Sequence, residues 1–562
     1  MLSDSAISYA GVAPLMRANP IPLQNLSALC TILITAVQRV NHWLCHSFIC
    51  FLQVSAYSVL ELPSLLRHAQ LERLLSSVCT MQLQGAFCCL VLACGWIWAG
   101  CMRLKEVRRL QAQKLQSMSD KLAARHGASA SIAIATGAPK QASQAHDSKA
   151  CLPGLTVVLP IQGLKAHSLL NWQSQLGMHY AGPLEYLFVT QSASDPALPV
   201  LSELISCDYE AARTQIIISG PSSSCSQKIH NLQRGILKAS KASKYVLCLD
   251  DDVQLHPGFL EMAVGHMEAD SAAFMLTGYP FDIADPGAGV LTYAALAYHL
   301  PLLIAFSVSQ STSFVWGGCM LFPLESMVHH TFGIMQAWQE GGYSDDLIVA
   351  AKCAQHKLKI LCPSGAIFPQ RLEARYSWKQ YWNYLRRQLY VMDTYASCSN
   401  KRINHALMLI HCYLSWAVVF PITSVVLRLS LWVAELLLLP SQEIWDGPGT
   451  SWDWLRIFGA QGCYVGMLSS ILFWIAITSA VLALYWMTGV VLSLFGEMFP
   501  SGETISGGDS FNWVKLWLGF YLGNAVLPCC MLYTYLSPWV EWGGIWYYKR
   551  KGRVQRLLPH NL

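Results

Sequence analysis

Two kinds of hydrophobic pattern divide this chain. Short apolar runs, broken by turn residues and by stretches with helical spacing, fill residues 151–400, whereas much longer uncharged runs occupy 83–102 and most of 403–540. The short runs Leu155–Leu159, Leu184–Thr190, Gln215–Ser219 and Tyr245–Leu249 predict buried strands, and helical patterns such as Lys228–Ser240 separate them. Strand and helix in alternation predict a parallel α/β sheet, which binds ligands at the carboxyl ends of its strands.

The long runs predict membrane helices. Leu83–Met102 is uncharged, is long enough to cross a bilayer, and is followed at once by Arg103, Lys105, Arg108, Arg109 and Lys114, cations that place the next segment in the cytosol. Ala406–Leu427 and Leu516–Val540 predict further crossings. Between them Cys463–Phe495 is free of formal charge for 33 residues, which as a helix spans roughly 50 Å against a hydrocarbon core of about 30 Å. Three crossings would leave Lys549, Arg550, Lys551 and Arg553 in the lumen, against the positive-inside rule. Cys463–Phe495 is therefore expected to turn back near Gly489 or to be re-entrant. The resulting organisation is an N-terminal extension over 1–80, a transmembrane helix at 83–102, a basic stretch and Ala/Ser-rich linker at 103–150, a cytosolic catalytic domain at 151–400, transmembrane helices within 403–540 and a basic cytosolic tail at 541–562. Residues 1–80, with only Asp4, Glu61 and Glu72 as acids, read equally as a transit peptide or an amphipathic surface extension.

Composition supports the division. The chain has 562 residues, 53% hydrophobic and 13% charged, with mean hydropathy +0.35, where soluble domains carry about a quarter charged residues. A net charge of +5, concentrated beside apolar segments, excludes a nucleic-acid partner and suits a bilayer. Many of the 20 cysteines fall in apolar helices and none makes paired CxxC spacing, so they read as reduced packing residues, as in a cytosol-facing domain.

The candidate chemistry begins at Asp250, Asp251 and Asp252, directly after the strand Tyr245–Leu249. Carboxylates on alternate residues at a strand end can hold Mg²⁺ or Mn²⁺, leaving coordination positions for water and phosphate oxygens; the plainer reading is an acidic turn. A second acidic pair, Asp345 and Asp346, follows Gly341–Ser344 and opens a helical pattern over Leu347–Ala354. Either it caps that helix or it supplies the general base that a sugar transfer requires.

The blocks Ser224–Asn231, Leu249–Gly258, Thr277–Pro280, Trp316–Met320, Gly341–Asp346 and Tyr381–Gln388 occur in that order. Together they resemble the ceramide glucosyltransferase family in its plant and algal form, across roughly 155–395. The resemblance implies an A-type glycosyltransferase fold, with a Rossmann-like nucleotide-sugar domain inserted between transmembrane helices and a C-terminal helical membrane bundle. It implies UDP-glucose as donor, a divalent metal, ceramide as acceptor, inversion at the anomeric carbon, and a multi-pass protein of Golgi or endoplasmic reticulum. Carried over by position, Asp250 and Asp252 match the metal and nucleotide-sugar aspartates, Asp346 the general base, Lys228 and Asn231 a nucleotide-contacting Lys-x-x-Asn, and Asp195 an aspartate near the uridine. The family's wider Gln-x-x-Arg-Trp signature is matched only by Arg387, expected with Arg386 near the diphosphate, and its missing tryptophan favours single transfer over polymer synthesis. His299 is expected to line the acceptor entrance, and Trp316–Cys319 to form a tight turn beneath the acceptor sugar. A sterol or diacylglycerol acceptor is the alternative within this chemistry. A transporter lacks support, since no broken helices recur in two halves.

Overall fold

The computed structural model describes residues 64–131, 152–208, 213–395, 397–438, 460–499 and 511–559; most of the N-terminal extension and the second half of the expected linker lie outside them. Helix α1 (Ser64–Ser131) contains the expected span and continues through Lys105–Ser131, part of which was expected to be linker. Leu, Lys, Gln, Ala and Arg dominate that stretch, and these unbranched residues lose little rotamer freedom in a helix.

The four expected strands are present as β1 (Gly154–Pro160), β2 (Leu184–Thr190), β3 (Thr214–Ile218) and β4 (Ser243–Leu249), all parallel in the order β3-β2-β1-β4. Helices α2 (Ser168–Leu176), α3 (Ala197–Asp208) and α4 (Gln227–Ile236) connect them. Leu155, Val157 and Leu159 face one apolar layer, while Val158, Leu187 and Val189 face another. Both faces are covered, which is why these strands read as continuous apolar runs rather than as alternation.

Beyond β4 the sheet is mixed. The chain continues through α5 (Phe259–Ala269), β5 (Ala273–Thr277), β6 (Tyr279–Ile283), α6 (Val290–His299), β7 (Ser311–Thr312) and β8 (Cys319–Pro323), and β8 inserts antiparallel between β4 and β5. Its register, Leu249 opposite Cys319, sets the Trp316–Gly318 turn beside Asp250, whose N–H donates to Gly318 O at 3.0 Å. After α7 (Leu324–Val328), α8 (Ile334–Gln339) and α9 (Asp345–His356), β9 (Lys359–Leu361) pairs with β5 and β7, and β10 (Ile367–Arg371) forms a separate parallel pair with β6.

Helix α10 (Trp378–Met392) leads to α11 (Cys398–Leu438), α12 (Ala460–Met498) and α13 (Trp513–Leu536). Four helices are long and apolar enough to cross a membrane: Cys79–Lys121, Cys398–Thr423, Leu468–Met498 and Trp513–Leu536. The turn expected near Gly489 does not occur, because α12 is helical throughout its 39 residues. One glycine inside a helix costs only about 1 kcal/mol, and α12 packs along α1 in parallel: Phe473 lies against Gly85, Trp486 against Gly100, and Lys114 Nζ reaches Glu497 Oε2 at 2.7 Å. The excess length is used as a paired-helix extension.

Helix α13, one of these four candidate spans, contacts the catalytic domain at both ends. At its start Asn512 N–H donates to Tyr293 Oη at 3.0 Å and Lys515 Nζ to Ala288 O at 2.8 Å. At its end Tyr533 lies beneath the Arg386 guanidinium, 4.8 Å from its ring centroid. Both ends therefore rest on one domain. The residues expected as a basic tail are folded as well, into the antiparallel sheet β11 (Trp539–Trp542), β12 (Ile545–Arg550) and β13 (Arg553–Pro559). Lys549, for example, is buried, with Nζ 2.6 Å from Asp393 Oδ2 and 4.0 Å from the Tyr390 ring centroid.

Candidate active site

Three chain segments meet at the carboxyl edge of the sheet. The first is the end of β4, which delivers Asp250, Asp251 and Asp252. The second is the start of α4, capped by Ser226, whose hydroxyl accepts from Ile229 N–H. The third is the start of α9, capped by Ser344, whose hydroxyl accepts from Leu347 N–H at 3.1 Å. Carboxylates in a first helical turn lie among free N–H groups and the positive end of the helix dipole, which suits Asp345 and Asp346.

Lys228 joins the segments. Its Nζ lies 2.7 Å from Asp250 Oδ1 and 3.0 Å from Asp345 Oδ2, and it donates to Gly317 O at 3.3 Å. The approach of Asp345 depends on glycine at 317, since a Cβ there would stand 2.6 Å and 2.8 Å from the two Asp345 oxygens. Thr277 fixes the same turn, its Oγ1 accepting from Trp316 N–H at 3.1 Å and donating to Cys319 O at 3.0 Å. The Asp345 backbone is held from behind, where Trp338 Nε1 donates to its carbonyl at 3.0 Å.

Lys165, on the loop after β1, balances the rest of the strand-end cluster. Its Nζ is 3.0 Å from Asp251 Oδ1 and 3.5 Å from Asp252 Oδ2. Asp252 Oδ1 and Asp251 Oδ2 are buried without a hydrogen-bond partner among the described residues. Burial, reinforced by Asp252 and Asp345 and opposed by Lys228, pushes the Asp250 carboxyl up to about 7. Among the described residues no three His, Cys, Asp or Glu side chains converge as metal ligands.

Asp346 has a different setting. Its Oδ1 accepts from Leu347 N–H at 2.7 Å and from the Ser344 hydroxyl, and no ion-pair partner reaches it among the described residues. Burial, then the charge of Asp345, raises its carboxyl above the ordinary carboxylate range.

The other expected residues are held by the scaffold. Both Asp195 oxygens accept from Gly163 N–H at 3.1 Å, while Thr190 Oγ1 and Ala197 N–H donate at 3.0 Å and 2.9 Å, so Asp195 ties the β1 and β2 loops together. Asn231 is buried, donating to Val189 O at 3.2 Å and accepting from Ser219 Oγ at 2.7 Å and Gln227 Nε2 at 2.8 Å. Of the α10 arginines, Arg386 is buried and donates to Trp539 O and to Ser537 Oγ. Arg387 lies over the Trp542 ring, 5.7 Å from its centroid. His299 ends α6, with Nδ1 2.7 Å from Asp282 Oδ2 and Nε2 3.3 Å from Tyr384 Oη. Burial alone would lower its pKa, but Asp282 outweighs burial and the net direction is upward.

Sequence reasoning missed Lys165 and the whole C-terminal sheet. A lone lysine in a loop carries no motif; its proximity to Asp251 exists only after β1 and β4 pair. The signal for the sheet was present as Gly543-Gly544 between Trp539–Trp542 and Ile545–Arg550, a two-residue hairpin pattern.

No curated protein matches the chain. A solved structure, described as the crystal structure of a mycobacterial protein, is similar at 15% identity over 43% of this chain and 73% of its own, with a TM-score of 0.25. Residues 123–458, well over half of the chain, match the glycosyl transferase family 21. The protein is thus a glycosyltransferase with a mixed α/β catalytic domain and several apolar helices, a member of family 21, the ceramide glucosyltransferase family.

Proposed function

We propose that this chain is an inverting ceramide glucosyltransferase, converting UDP-glucose and ceramide to glucosylceramide and UDP. The single observation that carries the reading is the Lys228 bridge, 2.7 Å to Asp250 and 3.0 Å to Asp345. It sets the strand-end carboxylates, where a nucleotide diphosphate belongs in an open α/β fold, against the helix start that carries the base. Asp346 takes the proton of the ceramide primary hydroxyl as its oxygen attacks the anomeric carbon from the face opposite the departing UDP. A carboxylate with raised proton affinity and no cation partner suits that work better than one neutralised by lysine. Arg387 has the planar fork that binds diphosphate oxygens in pairs.

The strand-end donors fit a divalent cation. Mg²⁺ is commonly bound through one or two carboxylates plus substrate phosphates, and Asp250 and Asp252 are the residues that would hold it, Asp252 having a buried oxygen without a hydrogen-bond partner among the described residues. Mg²⁺ or Mn²⁺ bound there would stabilise the charge of the leaving diphosphate.

The acceptor and the location follow from the membrane part. Helices α11 and α12 lead away and back, while α13 and the C-terminal sheet return to the catalytic domain, which supports a multi-pass protein with catalytic domain and C-terminus on the cytosolic face of Golgi or endoplasmic reticulum. A lipid acceptor then reaches Asp346 from the bilayer. The test is incubation of membranes containing the full chain with labelled UDP-glucose and a panel of ceramides, sterols and diacylglycerol. Labelled glucosylceramide is expected; label confined to a sterol or diacylglycerol replaces ceramide with that acceptor, and no labelled lipid overturns the reading.

A further inference from the structure

The C-terminal sheet lies beyond residues 123–458 that match the family, yet it contacts the loop after β1, the start of α4 and the loop into α9. On the donor side, the β11–β12 turn Gly543-Gly544 presents Gly543 O to Gln162 Nε2 at 2.5 Å. Gln162 precedes Gly163, the residue both Asp195 oxygens hold, on the loop that ends β1. At the bridging lysine, Tyr547 of β12 accepts from Gln227 N–H at 3.2 Å, one residue before Lys228. On the base side, β13 pairs with the loop that leads into α9: Val554 N–H donates to Gly341 O at 2.8 Å, and Arg553 pairs with Glu340 at 3.0 Å. Trp542, at the end of β11, stands between Tyr343, 5.6 Å away edge to face, and the Arg387 guanidinium. Tyr343 Oη is buried without a hydrogen-bond partner among the described residues.

These contacts are specific in sequence. Gly543 and Gly544 have φ +60° and +72°, the left-handed pair a two-residue hairpin turn demands. A side chain at Gly543 would collide with Gln162, whereas one at Gly544 would meet nothing within 4 Å. Gly341, φ +82°, likewise has the Val554 carbonyl where a Cβ would go. Close approach at both ends of one small sheet, to the Gln162 side chain at Gly543 and to the Val554 backbone at Gly341, makes it a spacer between the donor loop and the base loop.

We propose that this sheet is part of the donor site, with Trp542 and Gly543 as positioning residues for the nucleotide diphosphate: Trp542 orients Arg387 toward it, and Gly543 sets the Gln162–Gly163 loop at its edge. The inference rests on the UDP-sugar reading above and extends it to residues outside the family match. Gly543→Ala and Gly544→Ala share the cost of a side chain at positive φ, and only the first strikes Gln162, so their difference reports the contact and not the strain. UDP affinity is measured by calorimetry on the detergent-solubilised full chain, with thermal unfolding recorded alongside. Gly543→Ala is expected to weaken UDP binding about tenfold, Gly544→Ala less than about threefold, and Gln162→Ala in the Gly543→Ala background to restore most of the loss, a coupling that independent sites do not show. Trp542→Ala is expected to weaken UDP binding, with Trp542→Phe recovering it. Equal UDP affinity in Gly543→Ala, Gly544→Ala and the parent chain, or equal losses in the two variants without rescue by Gln162→Ala, overturns the proposal. Because the readout is UDP alone, absence of transfer to ceramide sinks the proposed function without touching this result.

Discussion

The two acidic clusters of the catalytic domain use the same side chain and differ in what neutralises it. At the end of β4, Asp250 faces Lys228 and Asp251 and Asp252 face Lys165. At the start of α9, Asp345 shares Lys228, while among the described residues the hydrogen bonds to Asp346 come from neutral donors, the Ser344 hydroxyl and the Leu347 N–H. Burial raises the pKa of Asp250, Asp251 and Asp346 alike; what sets Asp346 apart is that its hydrogen bonds come from neutral donors, so its oxygens are not engaged by an ammonium group. The cation pattern, rather than the spacing of the aspartates, separates a place for the leaving group from a place for the base.

The largest expected effect breaks the comparison at the base. Asp346→Asn is expected to lower the transfer rate by about 10³-fold, in the range of general-base catalysis, while UDP binding measured by calorimetry stays near the parent value. Loss of both together assigns Asp346 a structural role.

Removing the shared cation comes next. Lys228→Met leaves Asp250 and Asp345 facing each other without compensation, and Lys228 is only 15% exposed, so water does little to screen them. Breaking such a pair is expected to cost about 3 kcal/mol, read as a lower thermal unfolding midpoint, with transfer lost as well.

Gly317→Ala tests the same junction by volume instead of charge. The added methyl must displace the Asp345 carboxylate, at about 2 kcal/mol of overpacking, and transfer should fall while Lys165 and Asp251 are undisturbed. Unchanged kinetics would show that the Asp345 approach is dispensable.

The smallest effect is on pH. Transfer needs Asp346 deprotonated, and its pKa is raised by burial and by Asp345, so activity should rise with pH along a limb lying above the ordinary carboxylate value of about 4. Asp345→Asn removes one raising charge and should move the limb to lower pH. A limb that stays in place separates Asp345 from the base.

Much of this site was legible because it is local. Tyr245–Asp252 reads as strand then carboxylates and appears so in the structure; the acidic pair is expected at a helix start, which the structure bears out, with Ser344 rather than the aspartates as the cap. The pairings across segments were not legible. Asp195 and Asn231 follow family spacing, but their hydrogen bonds go to Gly163, Thr190, Val189 and Ser219, partners brought near only when β1, β2 and β3 align. The charge argument about the membrane part expects a turn near Gly489, and α12 is helical there: apolar length alone does not distinguish α12, which extends along α1, from α13, which lies against α6 and α10.

The sequence by itself determined the element types, the order of the blocks and the identity of the carboxylates, because strand burial, helix capping and apolar length are properties of neighbouring residues. Only the tertiary structure decided which lysine neutralises which aspartate, that Asp346 is left without one, and that a strongly basic C-terminus folds onto the donor loop. Ion pairs and close backbone approaches depend on distances between residues that lie in separate elements of the chain, and those distances are fixed by sheet order and packing.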